Sequence, residues 1–187
     1  MKELEWNRDY YGANYIAENT IQAIKKEYKE NPNAFVIERE IVKIEAECFP
    51  AAEAATKVSI AERLAVYPNH FWVQLDGDRM VGFVNGMVTD DPDLRDEMYE
   101  DASLHNENGA WQMIFGVNTI PPCRKKGYAG ELIKAAIEDA RKQGRKGLVL
   151  TCKDKLIHYY AKFGFVNEGV SQSVHGNVVW YQMRLTF

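Results

Sequence analysis

WQMIFGVNTIPPCRKKGYAGELIKAAIEDARKQ, residues 111–143, runs through three kinds of segment without a gap. Trp111 to Ile120 is an apolar run long enough for a buried strand. Pro121 and Pro122 end it by withdrawing two backbone donors. Arg124-Lys125-Lys126-Gly127-Tyr128-Ala129-Gly130 follows, and apolar residues then recur at Ala129, Leu132, Ile133, Ala136, Ile137 and Ala140. That spacing predicts a helix with one buried face, stopped by Gly144. The first N–H groups of a helix lack intrahelical partners and sit at the positive end of its dipole, so a glycine turn at this place suits phosphate oxygens. Arg124, Lys125 and Lys126 add positive charge. The spacing is neither that of a P-loop nor that of a dinucleotide fingerprint.

Working outward, Ile37, Ile41, Ile44 and Cys48 share one helical face that ends at Pro50. Residues 51–66 read as a second helix, closed by Pro68. Phe71–Leu75 and Met80–Val88 read as strands of a hairpin about Asp76-Gly77-Asp78-Arg79. The stretch from Asp90 to Gly109 carries Asp90, Asp91, Asp93, Asp96, Glu97, Glu100 and Asp101 in its first half. It reads as a solvated loop with room for a short helix, or as a field that gathers a cationic ligand. Downstream, Leu148–Cys152 is a short buried strand, and Leu156, Tyr159, Tyr160 and Phe163 form a helical stripe ended by Gly164. Strands over 165–172 and 178–185 meet across His175-Gly176-Asn177. Residues 1–34 are the least legible, fitting a helix over 16–28 or a strand over 20–24; they are kept within a single domain spanning 1–187.

The composition is that of a soluble globular protein, and a net charge of -4 argues against a general nucleic-acid binder. Cys48, Cys123 and Cys152 are odd in number and scattered, which reads as reduced thiols in a cytoplasmic protein. No apolar stretch has the length of a membrane span, and the N-terminus lacks a signal peptide's apolar region. The four histidines are dispersed, so no metal is expected. Of them, His70 and His175 read as turn residues and His158 as outward-facing.

RKKGYA, residues 124–129, resembles the (Gln/Arg)-x-x-Gly-x-(Gly/Ala) turn of the GNAT superfamily of acyl-CoA-dependent N-acetyltransferases. The resemblance implies an α/β (α+β) GNAT fold, a mixed central sheet of about six to seven strands with helices on both faces. It implies acetyl-CoA as co-substrate. Val117 and Thr119 would lie along the pantetheine arm, with Arg124, Lys125, Lys126, Gly127, Tyr128, Ala129 and Gly130 at the pyrophosphate. YAKFGF, residues 160–165, is a second hallmark and implies Tyr160 as general acid. IEAECFP (44–50), Ser103-Leu104-His105 and LTCKDKLIHYYAKFGF (150–165) resemble the arylalkylamine (serotonin) N-acetyltransferases and their bacterial relatives. Two strand histidines relay the amine's proton in the vertebrate enzymes of that group; Met113 and Phe115 stand in those places here.

Acyl transfer to an alkylamine, whose pKa is roughly 10.4, needs help in removing a proton, and the leaving thiolate needs a donor of similar pKa. A tyrosine suits the second task. For the first, His105 is the candidate because histidine titrates near neutrality; Glu53, just after the first helix, and ordered water are the alternatives. Phe49, Met113 and Phe115 would wall an acceptor site, with Glu53 at its entry. Cys152 reads as structural, with direct attack by the amine. The expected activity is acetyl transfer to the primary amine of a small, apolar or aromatic amine by a monomer or homodimer. A peptide or protein N-acetyltransferase and a non-catalytic acyl-CoA sensor are the competing readings.

Overall fold

A computed structural model describes residues 34–77 and 79–187; the alternatives read for residues 16–28 lie outside them. Two helices come first, α1 (Ala34–Cys48) and α2 (Lys57–Val66). The strands β1 (Phe71–Asp76), β2 (Arg79–Asn85) and β3 (Val88–Thr89) follow, then a single turn of helix, α3 (Glu97–Glu100). Next are β4 (Trp111–Ile114), β5 (Gly116–Thr119) and the long helix α4 (Tyr128–Lys142). The chain finishes with β6 (Gly147–Cys152), α5 (Ile157–Ala161), β7 (Val166–Val170) and β8 (Tyr181–Thr186).

The second helix starts six residues later than its composition predicts. Pro50 accepts backbone N–H groups from Glu53 and Ala54 in a turn, and the Thr56 side chain accepts the Ser59 N–H at 3.0 Å as a true N-cap. Two apolar runs read as single strands are each broken once. Residues 80–88 split at Gly86-Met87 into β2 and β3, and residues 111–120 split at Phe115 into β4 and β5. The breaks lie side by side, because Met113 N–H bonds Met87 O and Phe115 N–H bonds Asn85 O, each at 2.8 Å. Glycine is required at 86, since a Cβ there would come within 1.7 Å of Met113 O. With each broken run counted once, the strands among the described residues number six, within the expected range.

The strands form two sheets. One is ordered β1-β2-β5 and is antiparallel; the other is ordered β3-β4-β6-β8-β7, with β4 and β6 parallel. Strand alternation sends Phe71, Val73, Val81 and Phe83 to a core shared with Ile41, Ile44 and Ile60 of α1 and α2. It sends Trp72 and Val84 to a second core, with Leu132, Ile133, Ala136 and Ala140 of α4. The stripe predicted for residues 129–140 is the buried face of that helix, and Leu132 and Ile133 each contribute roughly 1.5–3 kcal/mol of burial. The sheet is thus covered on both faces, as the fold class requires.

Candidate active site

Two strands that begin as neighbours part company at Phe115. β4 pairs with β6 as far as Ile114 and Leu150. Beyond Phe115 the chain turns to β2, so that Gly116 to Thr119 pair with Asn85 to Gly82, while the end of β6 stays with β8. Among the described residues β5 therefore has β2 on one edge and no strand on the other, which leaves backbone donors and acceptors along a slot. A ligand arm carrying amides fits such an edge. Val117 lines the slot, and Thr119 at its end is buried with an unpartnered Oγ1.

The slot leads to the basic turn. Arg124 donates from Nε to Thr119 O at 3.1 Å, tying turn to strand. Lys125 has φ 64° and Gly127 φ 96°, and two left-handed residues in three make a tight turn of the kind that gathers successive N–H groups. Gly127 is the N-cap of α4 without a side-chain cap bond, and nothing lies within 4 Å of where its Cβ would be. Open space beside uncapped helix amides fits a phosphate. Lys126 Nζ stands 3.7 Å from Asp76 Oδ2, and the Tyr128 phenol bonds the same carboxylate, which raises its pKa. Ala129 and Gly130 form the first helical turn, Gly130 packing closely on Phe163.

At the other end of the slot lies a cavity of about 410 Å³. Tyr160, on α5, is 7% exposed and lines it next to Cys152. Its ring packs edge-on against Tyr159 and Phe165. Burial, with smaller effects of Cys152 and Tyr159, holds its phenol above the ordinary tyrosine range, so it carries its proton at neutral pH. Burial likewise pushes the Cys152 thiol up to about 11, and Asp154 adds to this, so Cys152 is a neutral thiol and a poor nucleophile.

Phe49, Glu53 and Phe115 line this cavity as the sequence suggested. Met113 does not reach it. Strand alternation turns Met113 into the core under α1 and α2, where it is fully buried, and the break at Phe115 frees only the latter to face the slot. His105 is also elsewhere. Its Nδ1 accepts the Val88 N–H at 3.1 Å and its ring stacks on Tyr67, which holds it behind β3, outside the residues that line the cavity. There Glu107 Oε2 lies 3.1 Å from His105 Nε2 and 3.2 Å from His70 Nε2, so the structure gathers a group that the dispersed sequence positions hid. His70, expected in an exposed turn, is fully buried. Its Nδ1 donates to Gln112 Oε1 at 2.7 Å, the Gln112 amide being oriented by donation to Met87 O and Met113 O.

Several polar residues that the sequence did not assign to the site line the cavity, Glu45, Arg63, Tyr99 and His175 among them. Glu45 of α1 is 5% exposed; Oε1 accepts the Ala55 N–H at 3.0 Å and Oε2 has no partner, Asn118 standing nearby but outside hydrogen-bond geometry. Burial raises its pKa above the usual carboxylate range, against the pull of the Ala55 N–H and Arg63. Arg63 of α2 is 4% exposed. Tyr99 bonds Thr151 across the cavity at 3.1 Å, and its phenol is pushed up to about 12 by burial. His175, far from a plain turn residue, stacks on Tyr99 and donates from Nε2 to Glu53 O at 3.0 Å. Trp180 closes the side, its Nε1 donating to His175 O.

The signal for Glu45 and Arg63 was their phase. Glu45 follows Ile41 by four residues, and Arg63 falls between Ile60 and Tyr67, so each charge sits on its helix's apolar stripe. The acidic stretch is mostly engaged in its own bonds. Asp91 pairs with Arg95, Asp93 with Arg184, Asp96 with Ser173 and Val174 N–H, and Asp90 with Asn106 and Ala110 N–H. Only Tyr99 and Glu100 of its first half reach the cavity.

Comparison with known proteins agrees with this geometry. The family model described as the acetyltransferase (GNAT) family matches residues 38–165. No curated protein matches the chain. Among solved structures, a GphF GNAT-like decarboxylase in complex with isobutyryl-CoA has a TM-score of 0.69 at 19% identity, covering 81% of this chain and 95% of that one. The loading GNATL domain of CurA from Lyngbya majuscula has a TM-score of 0.68 at 14% identity, covering 80% and 92%. The ribosomal-protein-S18-alanine N-acetyltransferase from Escherichia coli has a TM-score of 0.60 at 14% identity, covering 81% and 88%. At such identities these structures show the fold alone, and among the described residues no helix is long and apolar enough to cross a membrane. On the strength of the family match across most of its length, the chain belongs to the acetyltransferase (GNAT) family of acyl-CoA-dependent acyltransferases.

Proposed function

We propose that the protein transfers an acetyl group from acetyl-CoA to the primary amine of a small apolar or aromatic amine, as the resemblance to arylalkylamine N-acetyltransferases implies. One observation carries this reading: a protonated tyrosine and a buried carboxylate with a free oxygen line the same aromatic cavity at the end of the slot. Acetyl-CoA supplies the activated thioester. Val117 and Thr119 hold its arm along the free edge of β5, and the amides from Lys126 to Gly130 hold its pyrophosphate. Glu45 Oε2 takes the proton of the incoming ammonium, a task that its raised pKa favours. The freed lone pair then attacks the thioester carbon directly, and Tyr160 gives its proton to the departing sulfur; the proton that the nitrogen sheds on becoming an amide passes to solvent, from which the Tyr160 phenolate is reprotonated.

Phe49, Phe115, Tyr99 and Trp180 exclude water and favour an apolar acceptor. The bonds between Glu53 and Lys153 and between His175 and Glu53 close the far side, which speaks for a small molecule over a peptide. Thiol release from acetyl-CoA, measured against arylalkylamines, polyamines and short peptides, tests the reading. Turnover with the first class is expected. A large preference for spermidine or a peptide would overturn the acceptor, and tight CoA binding with no turnover would favour a sensor.

A further inference from the structure

The acceptor cavity contains a buried cation that acetyl transfer does not use. Arg63 donates from Nη1 to Asn85 Oδ1 at 3.2 Å and from Nη2 to Tyr99 O, and its guanidinium lies over the Phe115 ring, 4.8 Å from the centroid. All of these partners are neutral. Among the described residues no carboxylate forms an ion pair with it, although it is 4% exposed. A guanidinium taken out of water without a counter-charge is costly. Packing does not explain it either, because position 63 lies in phase with Ile60 and Tyr67 and an apolar side chain would fill it.

The opposite charge stands in the same cavity. Glu45 is equally buried, and one of its oxygens has no partner. The two groups attract one another through space, yet they are held beyond ion-pair reach. A cavity with a separated cation and anion, walled by aromatic rings, is complementary to a molecule with the same two charges reversed. A guanidinium fork matches a carboxylate, and a carboxylate matches an ammonium.

Resting on the transferase reading, we propose that the acceptor is a zwitterion, an amino acid with an apolar or aromatic side chain. Its carboxylate is held by Arg63, its ammonium by Glu45, and its side chain lies against Phe49, Phe115 and Trp180. A plain arylalkylamine has no group for Arg63, and a peptide N-terminus offers a neutral amide there. Proton bookkeeping is consistent with release as well. The ammonium loses one proton to Glu45 and its second on forming the amide, so the product bears only its carboxylate; once Glu45 returns its proton to solvent, it repels that product.

Matched pairs that differ only by a carboxylate test this: phenylalanine against phenethylamine, tryptophan against tryptamine, and leucine against 3-methylbutylamine, each with acetyl-CoA. The amino acids are expected to have kcat/KM at least tenfold higher, the difference lying in KM. Arg63→Met should abolish the preference, and Arg63→Lys should keep part of it. Because Arg63 also braces Asn85 and Tyr99, each variant is first checked for unchanged CoA affinity. If the methionine variant does not fold, the wild-type pairs and the lysine variant decide. Equal or better use of the plain amines, or a preference that survives Arg63→Met, overturns the proposal. If nothing is acetylated, the transferase reading fails, and calorimetry of phenylalanine and phenethylamine on the CoA-loaded protein decides the zwitterion site by itself. At least tenfold tighter binding of phenylalanine supports it, and equal affinity overturns it.

Discussion

Glu53 and Lys153, a hundred residues apart, meet at 2.7 Å on the rim of the acceptor cavity and so join the loop after α1 to the end of β6. Lys153 also lies over the Trp180 ring, 5.6 Å from its centroid. The other oxygen of Glu53 is buried without a partner, so the carboxylate depends on this ammonium. Lys153→Met should lower stability by about 1–2 kcal/mol, less than for a fully buried pair because Lys153 is partly exposed. Thermal unfolding should show a fall in Tm of a few degrees and steady-state kinetics a rise in acceptor KM. An unchanged Tm would mean that the pair contributes nothing.

Tyr160 and Cys152 should behave oppositely on substitution. If Tyr160 protonates the leaving sulfur as proposed, Tyr160→Phe should reduce kcat on the order of 100-fold or more, with CoA affinity intact. Cys152→Ala should leave kcat within a few-fold, since a thiol held near 11 is not the attacking group. Product inhibition patterns of a sequential mechanism are expected in both; a ping-pong pattern lost with Cys152→Ala would show an acetyl-cysteine route instead.

Glu45→Gln separates stability from catalysis. Folding raises the pKa of Glu45, so the penalty for burying its anion is absent below the unfolded value of 4.5 and sets in as pH rises through the folded one. The glutamine still accepts the Ala55 N–H and carries no charge. Its Tm should therefore exceed that of the wild type at pH 8 and match it near pH 4, while acetyl transfer falls on the order of 100-fold. A lower Tm at pH 8 would contradict the burial argument.

The cluster behind β3 predicts loss of stability in acid. Glu107 lies against His70 and His105, which bring its pKa down to about 2, and it also accepts from Arg145. A depressed carboxyl stabilises the fold above its unfolded value of 4.5, and this is lost as pH falls from there toward 2. His105, depressed first by burial and then by His70, acts in the same sense as pH falls below 6.5. Tm should therefore fall toward acid pH in two windows. Glu107→Gln should flatten the lower one, and a variant curve parallel to wild type below pH 4.5 would remove Glu107 from the account.

The fold was legible because its decisive segments are long and periodic. The stripe from Ala129 to Ala140 has one reading, and so has the proline stop before it. The break at Phe115 was not legible, since an unbroken apolar run gives no sign of where a strand changes partners; only β2 and β6, far off in sequence, set that point. Misplacing it put Met113 and Phe115 on one wall. His105 was chosen for its chemistry, but the Val88 N–H decides where it points. Apolar periodicity alone did not single out Glu45 and Arg63, charges that lie on the apolar stripes of α1 and α2. His175 reaches the cavity through its contact with the loop after α1, and Trp180 through its bond to His175, a closure that no local pattern encodes.

The walls of the cavity are made at widely different times during synthesis. Glu45, Phe49 and Arg63 leave the ribosome early, Tyr160 much later, and His175 and Trp180 later still. β8, which pairs with both β6 and β7, follows them. The basic turn and α4 are complete in sequence by residue 143, while the side of the cavity lined by residues 150–180 is still to come. On the proposed function, competence would be completed last, by residues 175–186, after the segment that would hold the donor.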